Sequence, residues 1–471
     1  MARKVSEITE TDRGFLRPGS PAHPEAEIAL TVAWCLGDPA RVGESVVLEG
    51  PGPWVLGRGT EAPSDGTTRA RLVRLRPGPP EASAPLGARG LSRRHLTITS
   101  TERGLAVTNE GRGPMSVSGA PCVRATLRDG DTVNLDDQIV LLATLRPRVP
   151  FLRTTPAPSF AFATPDEHGI VGESPGAWRL REALAFTARR AEHVLVTGPS
   201  GVGKELVARA IHALSSRAKK PFVSRNAATL PAGIIDAELF GNAKNYPNAG
   251  MGERAGLVGD AHGGTFFLDE IGELSPELQA HLLRLLDGGE YQRLGDGAVR
   301  RADVRFVAAT NRDAKSLKHD VAARLPLSVE VPGLDDRRED LPLLARHLLQ
   351  GACRDEPAMR SRLFEGDEPR ISPRLIEALL THPFATHVRE LNAILLRSLA
   401  ESRGTYVDLT PSVAALLHQD RPTPIVSPVG PTREQIIAAL ESTGGSVTRA
   451  ATQLGLRNRN VLYRLMEKLG L

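Results

Sequence analysis

The stretch HVLVTGPSGVGKE, residues 193–205, predicts the architecture of the middle of this chain. Its apolar start, 193–197, predicts a strand, and a glycine-rich loop follows. After the loop, Leu206, Ala210 and Leu214 recur at the spacing of one helix face. A strand, a glycine loop and a helix in this order predict a phosphate-binding loop, because glycines let backbone N–H groups curl around phosphates. We expect ATP to bind at Gly198, Pro199, Ser200, Gly201, Val202, Gly203, Lys204 and Glu205.

Two further apolar runs end in polar side chains. The run 264–268 ends in Asp269 and Glu270, and the run 304–309 is followed by Thr310 and Asn311. Such an acid pair predicts that Asp269 holds Mg²⁺, directly or through water, and that Glu270 orients or deprotonates the attacking water. An acid pair after a strand is as often structural, but the phosphate loop upstream favours ATP hydrolysis. Asn311 would lie beside the γ-phosphate.

The composition indicates an ordinary globular protein of several domains. With 471 residues, 41% hydrophobic and 24% charged, the chain is long enough for about three domains of ~150 residues. No apolar run approaches the ~20 residues that span a bilayer, and the start lacks the apolar core of a signal peptide. We therefore expect a cytoplasmic protein without a membrane partner. A net charge of +4 permits nucleic acid as a partner.

Proline-rich stretches divide the chain into three blocks. Short alternating runs in the first block predict a β-sandwich. Strands that alternate with helical patterns predict an α/β sheet in the second, and the third has helical periodicity throughout. The predicted domains are 30–146, 168–400 with a helical lid from about 335, and 431–471, joined by linkers 147–167 and 401–430.

The sequence pattern of the third block indicates a DNA-binding domain. Ile436, Ile437 and Leu440 form a first helical stripe, and Gly455 makes a turn between two later helices. Val461, Leu462, Leu465 and Leu469 would face inward. The alternative interpretation of this block is a three-helix dimerisation element. Basic and amide side chains at the start of a helix after such a turn suit the major groove. The predicted DNA contacts are Thr448, Arg449, Arg457, Asn458, Arg459, Asn460, Tyr463 and Arg464.

In the first block, three residues are candidates for binding a phosphate. Arg58 ends one predicted strand, and Ser92 and Arg93 precede another. Together they could bind a phosphate through charge-assisted hydrogen bonds, while His95 orients the loop from within. The alternative is a structural sandwich that only regulates the second block.

The second block resembles the AAA+ domain of bacterial enhancer-binding proteins, the activators of sigma-54 RNA polymerase. The resemblance rests on GPSGVGKE, DAELFG (236–241), HGGTFFLDEIGELSPELQAHLLRLL (262–286), AATNRD (308–313) and VREL (388–391). It implies Asn226 as a switch coupled to Glu270, Asn311 as sensor I and Arg389 as sensor II. It also implies a homo-oligomeric ring, usually a hexamer, with arginine fingers at the positions of Arg324 and Lys318. Lysine at the second position lacks the bidentate fork of arginine.

Two segments of the second block depart from that family's pattern. The loop that contacts sigma-54 reads Gly-Ala-Phe-Thr-Gly-Ala in the family, whereas residues 245–250 read NYPNAG here. The segment before Arg389, usually Trp-Pro-Gly-Asn, reads FATH at 384–387. The altered loop leaves open a DNA-binding ATPase that has lost contact with sigma-54 and acts by nucleotide-controlled assembly.

The flanking blocks resemble two further families. The third is similar to the Fis-type helix-turn-helix, which implies binding to enhancer DNA as a dimer. The first resembles a forkhead-associated domain through GR (57–58), SRRH (92–95) and RDGDTVNL (128–135). That likeness implies binding of phosphothreonine, on a partner or on this chain. Pro114 stands where that family has an asparagine that holds the peptide. A phosphopeptide adaptor with vestigial remaining domains is disfavoured, because Lys204, Asp269 and Glu270 are all present.

Overall fold

The structure is a computed structural model of the chain. It describes residues 26–50, 52–60, 65–101, 104–147, 158–229, 234–311, 317–418 and 433–443, and residues 447, 450, 462, 463 and 466. The chain divides into two compact units, Met1–Gln419 and Asp420–Leu471. Within the described residues, no helix is both long enough and apolar enough to cross a membrane.

Two largely antiparallel sheets form the first region. One has the strand order β10-β9-β12-β13-β1-β2-β5-β6, and the other has the order β11-β8-β7-β3-β4, with β4 parallel to β3. Successive side chains of a strand point to opposite faces of its sheet, which explains the core between the two sheets. Leu96 and Ile98 of β7 are buried, while Thr97 and Thr99 are half-buried. The predicted β-rich first block is confirmed. The strands are β1 (Ala26–Cys35), β2 (Ser45–Val47), β3 (Trp54–Leu56), β4 (Thr68–Arg69), β5 (Arg71–Arg74), β6 (Glu81–Ala82), β7 (Leu96–Thr101), β8 (Gly104–Asn109), β9 (Met115–Val117), β10 (Ala120–Cys122), β11 (Arg124–Leu127), β12 (Thr132–Leu135) and β13 (Ile139–Pro147).

A parallel sheet with helices forms the middle region, as predicted. Its order is β15-β16-β19-β14-β20, so the phosphate-loop strand β14 lies beside β19. Its central strands β14, β16 and β19 are almost fully buried, which explains why their sequences are mostly apolar. The elements are α1 (Pro175–Ala188), β14 (Val194–Thr197), α2 (Lys204–Ala213), β15 (Phe222–Asn226), α3 (Ile235–Phe240), α4 (Gly256–Asp260), β16 (Thr265–Asp269), α5 (Pro276–Gly288), β17 (Glu290–Gln292), β18 (Val299–Arg301), β19 (Arg305–Thr310), α6 (His319–Ala323) and β20 (Leu327–Glu330).

The lid begins with a 3₁₀ segment, Asp335–Asp340, which links β20 to the lid helices and which we call the hinge. The lid also includes α11 (Pro411–His418), with Val413 and Leu417 buried in its core. The predicted linker 401–430 was therefore too long at its start. The other lid elements are α7 (Leu341–Ala352), α8 (Pro357–Leu363), β21 (Phe364–Glu365), β22 (Glu368–Pro369), α9 (Pro373–Thr381) and α10 (His387–Glu401).

The second unit contains the helix α12 (Arg433–Ser442) and further helical residues. Its small core includes Ile436, Ala439, Ala450 and Leu462. Ile436 and Leu462 are buried, as their helical spacing predicts. Val461, Leu465 and Leu469 lie outside the described residues. The predicted helical third block is confirmed.

Candidate nucleotide-binding site

The loop between β14 and α2 has a backbone that requires glycine. Gly198 has a φ of 149° and Gly201 a φ of 80°, values that side chains rarely allow. A Cβ at Gly198 would lie 2.6 Å from the carbonyl oxygen of Val331, and one at Gly201 would lie 2.2 Å from that of Thr386. Val331, which follows β20, and Thr386 of the lid therefore both contact this loop. The N–H groups of the loop lie at the N-terminus of α2.

Lys204 is the first residue of α2, and its side chain is buried. Its Nζ donates to the carbonyl oxygens of Gly198 and Pro199, each at 3.1 Å, and lies 4.0 Å from Glu270 Oε1. The ammonium group thus lies between the loop and the acid pair. The next residue, Glu205, instead forms an exposed ion pair with Arg209 at 2.8 Å.

The polar strand ends meet at the same edge of the sheet. Asp269 ends β16, and its Oδ1 accepts the N–H of Glu270 at 3.0 Å. Glu270 has a left-handed backbone with a φ of 54°, a conformation that is strained for a residue with a side chain. Its Oε2 accepts the N–H of Asn311 at 3.4 Å. The structure therefore brings Lys204, Glu270 and Asn311 together.

Asn226 lies on the adjacent strand, β15, in register with Asp269. Its Oδ1 accepts the N–H of Ala228 at 2.8 Å, so its side chain is bonded within its own turn. To act as a switch coupled to Glu270, Asn226 would have to give up its hydrogen bond with Ala228. The carboxylate of Asp269 at the strand end offers the hard oxygen ligands that Mg²⁺ prefers, so the residue fits the predicted metal.

Arg389, which the resemblance implies as sensor II, lies on the lid helix α10 and contacts the phosphate loop. One guanidinium nitrogen of Arg389 donates to Ser200 Oγ at 3.4 Å. The altered segment before it keeps its place through His387, whose Nδ1 accepts the N–H of Leu334 at 3.2 Å. The lid therefore contacts the phosphate loop through Arg389 despite the change in sequence.

The two candidate fingers contact helix α5. Arg324 Nε donates to Asp287 Oδ1 at 2.8 Å, and this hydrogen bond raises the pKa of the Arg324 guanidinium. Lys318 is exposed at the start of α6, and its backbone N–H donates to Gln279 Oε1 at 3.2 Å. Both contacts place these residues beside α5, and a role toward a neighbouring subunit remains a prediction.

Two asparagine side chains form hydrogen bonds that hold the altered loop, residues 245–250, and the residues beside it. Asn242 Nδ2 donates to the carbonyl oxygens of Ala243 and Gly252, each at 3.0 Å. Asn245 Oδ1 accepts the N–H of Gly250 at 2.9 Å. The ring of Tyr246 lies against Gly295, between strands β17 and β18, yet 40% of the residue is exposed. The loop thus presents an aromatic side chain on a fixed backbone.

Two of the three predicted phosphate residues, Arg58 and Arg93, line one cleft of about 410 Å³ in the first region, together with Gly59 and Thr60. The third, Ser92, does not line this cleft, although it is next to Arg93 in the chain. The carbonyl oxygen of Ser92 accepts the N–H of Arg58 at 3.0 Å. His95 is fully buried, and its Nδ1 accepts the N–H of Ser92 at 3.1 Å. Burial lowers the pKa of His95, which favours the neutral ring that this bond needs. His95 thus orients the loop from within.

Other residues shape this cleft without having been predicted. The guanidinium of Arg69 donates to the carbonyl oxygens of Gly57 and Arg93, each at 3.2 Å. The backbone N–H of Arg112 donates to Ser92 Oγ at 3.4 Å. Arginine is frequent along the whole chain, so residue type gave no signal for either position. Asn109 bonds the carbonyl oxygen of Gly113 at 2.9 Å and braces the segment before Pro114.

Of the predicted DNA contacts, Tyr463 is described and is 53% exposed. Thr448, Arg449, Arg457, Asn458, Arg459, Asn460 and Arg464 lie outside the described residues. The exposed position of Tyr463, next to the buried Leu462, agrees with the predicted division of this helix into two faces.

Fold and site together define a P-loop nucleotide-binding domain of the AAA+ class, with a two-sheet region before it and a helical unit after it. Residues 170–328 match the sigma-54 interaction domain, and residues 433–469 match the bacterial regulatory proteins of the Fis family. The transcriptional regulatory protein ZraR of Escherichia coli (strain K12) is 38% identical over 314 residues, which cover 64% of this chain and 69% of that protein.

Two further comparisons are with a second regulatory protein and with a crystal structure. The Nif-specific regulatory protein of Azotobacter vinelandii is 38% identical over 317 residues, 64% of this chain and 58% of that one. A crystal structure of NtrX from Brucella abortus in complex with ADP is 29% identical, covers 65% of this chain and 70% of its own, and has a TM-score of 0.46. On the identity and coverage of ZraR, the chain belongs to the family of sigma-54-dependent transcriptional regulators with an AAA+ domain and a Fis-type helix-turn-helix.

Proposed function

We propose that this protein hydrolyses ATP to activate sigma-54 RNA polymerase from an enhancer-like DNA site, under phosphothreonine control. The observation that carries the enzymatic part is the meeting of Lys204, Glu270 and Asn311 at one sheet edge, with Arg389 reaching it from the lid. The three functional domains are 30–146, 168–418 and 431–471, with α11 added to the lid.

Each residue of the site has a distinct part in hydrolysis. Lys204 binds the β- and γ-phosphates as a point charge, and Asp269 would hold Mg²⁺, which neutralises developing charge on the phosphates when bound. Glu270 orients the attacking water and accepts its proton. Asn311 and Arg389 contact the γ-phosphate side. Asn226 exchanges its bond to Ala228 for one to Glu270 when the nucleotide changes.

A ring of subunits completes this proposal. Arg324 and Lys318, which lie beside α5, would reach the γ-phosphate bound by a neighbour, where a cation stabilises transition-state charge. Arg324 supplies the bidentate geometry, and Lys318 supplies charge alone. Dimers on DNA and hexamers in the active ring are the expected assemblies.

The loop around Tyr246 is the proposed contact with sigma-54. Its aromatic residue is 40% exposed and stands on a backbone fixed by Asn242 and Asn245. The experiment that tests the function is direct: purified protein is mixed with sigma-54 in the presence of ADP–aluminium fluoride, and the complex is sought by gel filtration. A trapped complex supports an activator.

The same experiment decides on a second candidate function. The departure of residues 245–250 from the family pattern favours a DNA-binding ATPase that regulates by nucleotide-controlled assembly without sigma-54. Intact ATP turnover with no trapped complex would establish that function instead. A Tyr246→Ala variant is the matched control for the trapping experiment. It alters the loop that is proposed to contact sigma-54 and leaves the nucleotide-binding residues in place.

Phosphothreonine control is proposed on the cleft of the first region. Arg58 and Arg93 line it, and Arg69 fixes the backbone of Gly57 and Arg93 from behind. Guanidinium groups around a concave wall suit a phosphate, on a partner or on this chain. With Pro114 in place of an amide side chain, binding rests on charge more than on contacts with the peptide backbone.

Arg93→Ala should weaken binding of a phosphothreonine peptide by about 1.5–3 kcal/mol, the usual worth of a hydrogen bond to a charged group. The measurement is a fluorescence anisotropy titration with a labelled peptide and its unphosphorylated twin. Arg128→Ala, an exposed arginine in the same region, is the matched control and should bind as the unmodified protein does. Equal affinity for the two peptides would remove the phosphate from the proposal.

Arg459→Ala should weaken specific DNA binding by ~1–3 kcal/mol if Arg459 reads a base edge. A footprint on a selected site, compared with non-specific DNA at fixed salt, measures the loss. Arg433→Ala, which changes the first helix of the same unit, tests whether a lost positive charge alone accounts for it. An unaltered Arg459→Ala footprint would contradict base reading by this residue.

A further inference from the structure

The two-sheet region packs directly on the lid. The core that contains the lid helices also includes residues of β1 and β13, among them Ala33 and Leu142. Trp34 Nε1 donates to the carbonyl oxygen of Ile371 at 2.8 Å, and Asn134 Nδ2 donates to Glu377 Oε2 at 2.9 Å. Burial of apolar side chains together with satisfied polar groups makes this contact a packed interface.

One buried ion pair of this interface holds the hinge itself. Glu339, which is 8% exposed, accepts from Arg146 Nε at 2.8 Å and from Thr31 Oγ1 at 3.4 Å. Arg146, which is 5% exposed, also donates to Ser45 Oγ at 2.8 Å. A buried pair of this kind is costly to break, because each charge left alone has no water to replace its partner.

The next hinge residue, Asp340, is bound by the segment that precedes α1. Asp340 is fully buried and accepts the backbone N–H groups of Glu173 and Ser174 at 2.7 and 2.8 Å. Burial raises the pKa of the Asp340 carboxyl to about 6. Glu173 in turn accepts two hydrogen bonds from Arg76 of the two-sheet region, at 2.8 and 3.0 Å. The two-sheet region therefore holds this part of the molecule at two points. Arg146 binds Glu339 of the hinge, and Arg76 binds Glu173, which lies in the segment that binds Asp340.

The position of the hinge matters for the nucleotide. It connects the sheet that carries the phosphate loop to the lid that carries Arg389 and Thr386, and both of these contact the loop. A product held between lid and sheet leaves when the lid moves, and such steps often limit turnover. Rotation at the hinge would displace Glu339 from Arg146.

We infer that the two-sheet region is a brake: by holding Glu339 it restrains the hinge and slows the release of ADP. This inference rests on the proposed nucleotide site and adds a regulation to it. Any signal that weakens the contact of β1 and β13 with the lid would speed nucleotide exchange, with no change in the residues that bind phosphate.

The test uses the full chain and a fluorescent ADP analogue, N-methylanthraniloyl-ADP, whose release is followed after a chase with unlabelled ADP. Glu339→Gln and Arg146→Met should each release it several-fold faster. Replacing both residues by leucine should restore slow release, because a hydrophobic pair can fill a buried ion-pair site. Glu365→Gln, an exposed lid residue, is the control and should leave the rate unchanged.

Hydrogen exchange of the hinge amides, 335–340, supplies a second readout without nucleotide. Faster exchange in the two single variants and normal exchange in the leucine pair support the brake. Unchanged or slower release with unchanged hinge exchange overturns it. If the unmodified chain binds no analogue, the nucleotide proposal fails, and the exchange data alone decide whether the hinge is restrained.

Discussion

Lys204→Ala is expected to remove nearly all affinity for ATP. The Lys204 side chain is buried and lies between the loop carbonyl oxygens and Glu270. Truncating one partner of a buried, hydrogen-bonded charge pair typically costs ~2–5 kcal/mol, which corresponds to a loss of roughly 30- to 5,000-fold in affinity. Calorimetry with a slowly hydrolysed ATP analogue measures this loss directly.

The control for this variant is Lys219→Ala. Lys219 is an exposed lysine in the turn after α2, so its replacement removes the same charge without touching the loop. Thermal unfolding of both variants shows whether the loss of affinity reflects a lost fold, since the alanine also removes two hydrogen bonds to loop carbonyls. Unchanged affinity in a folded Lys204→Ala protein would refute the assignment of the phosphate loop.

Local sequence was enough to predict the conformation of the phosphate loop, because the positive φ angles of the loop and the buried strand before it depend on residues adjacent in the chain. The loop 198–204 needs glycine for positive φ and follows an apolar strand that is buried on both faces. Asp269 and Asn311 could be placed beside it because parallel strands bring their carboxyl ends to the same edge. That rule needs the strand pattern alone, and the pattern was clear at 264–268 and 304–309.

The contacts of the hinge could not be predicted in this way. Arg76 and Glu173 are 97 positions apart, and Arg146 and Glu339 are 193 apart. Arginine and glutamate normally lie on the surface, so their type carries no signal of burial. The pairing is decided by which surfaces of two separately formed regions meet, and hydrophobic periodicity within one element does not report that.

Helix α11 was missed for a local reason. Pro411 looks like a helix breaker within a stretch already expected to be a linker, yet it is the first residue of the helix. At that position a proline costs little, because the first turn has no intrahelical partner for its N–H. The buried Val413 and Leu417 lie four positions apart, which is a helical spacing that eight residues are too few to make distinctive.

Glu270→Gln is expected to separate ATP binding from hydrolysis. The amide keeps the size of the side chain and can still lie near Lys204 and the N–H of Asn311, but it cannot accept a proton from water. Loss of a general base typically lowers the rate by about 10²–10⁴-fold. Affinity for ATP should hold or rise slightly, because a negative charge near the γ-phosphate is removed.

Single-turnover hydrolysis and equilibrium binding must be measured on the same preparation to see this separation. Glu273→Gln, an exposed glutamate three residues further on, is the matched control and should retain turnover. Because the amide oxygen of glutamine can still accept the N–H of Asn311, as the Glu270 carboxylate does, the variant should fold normally. A variant that binds ATP and still hydrolyses it at the normal rate would transfer the role of base to another group, and Asp269 would then be the residue to replace next.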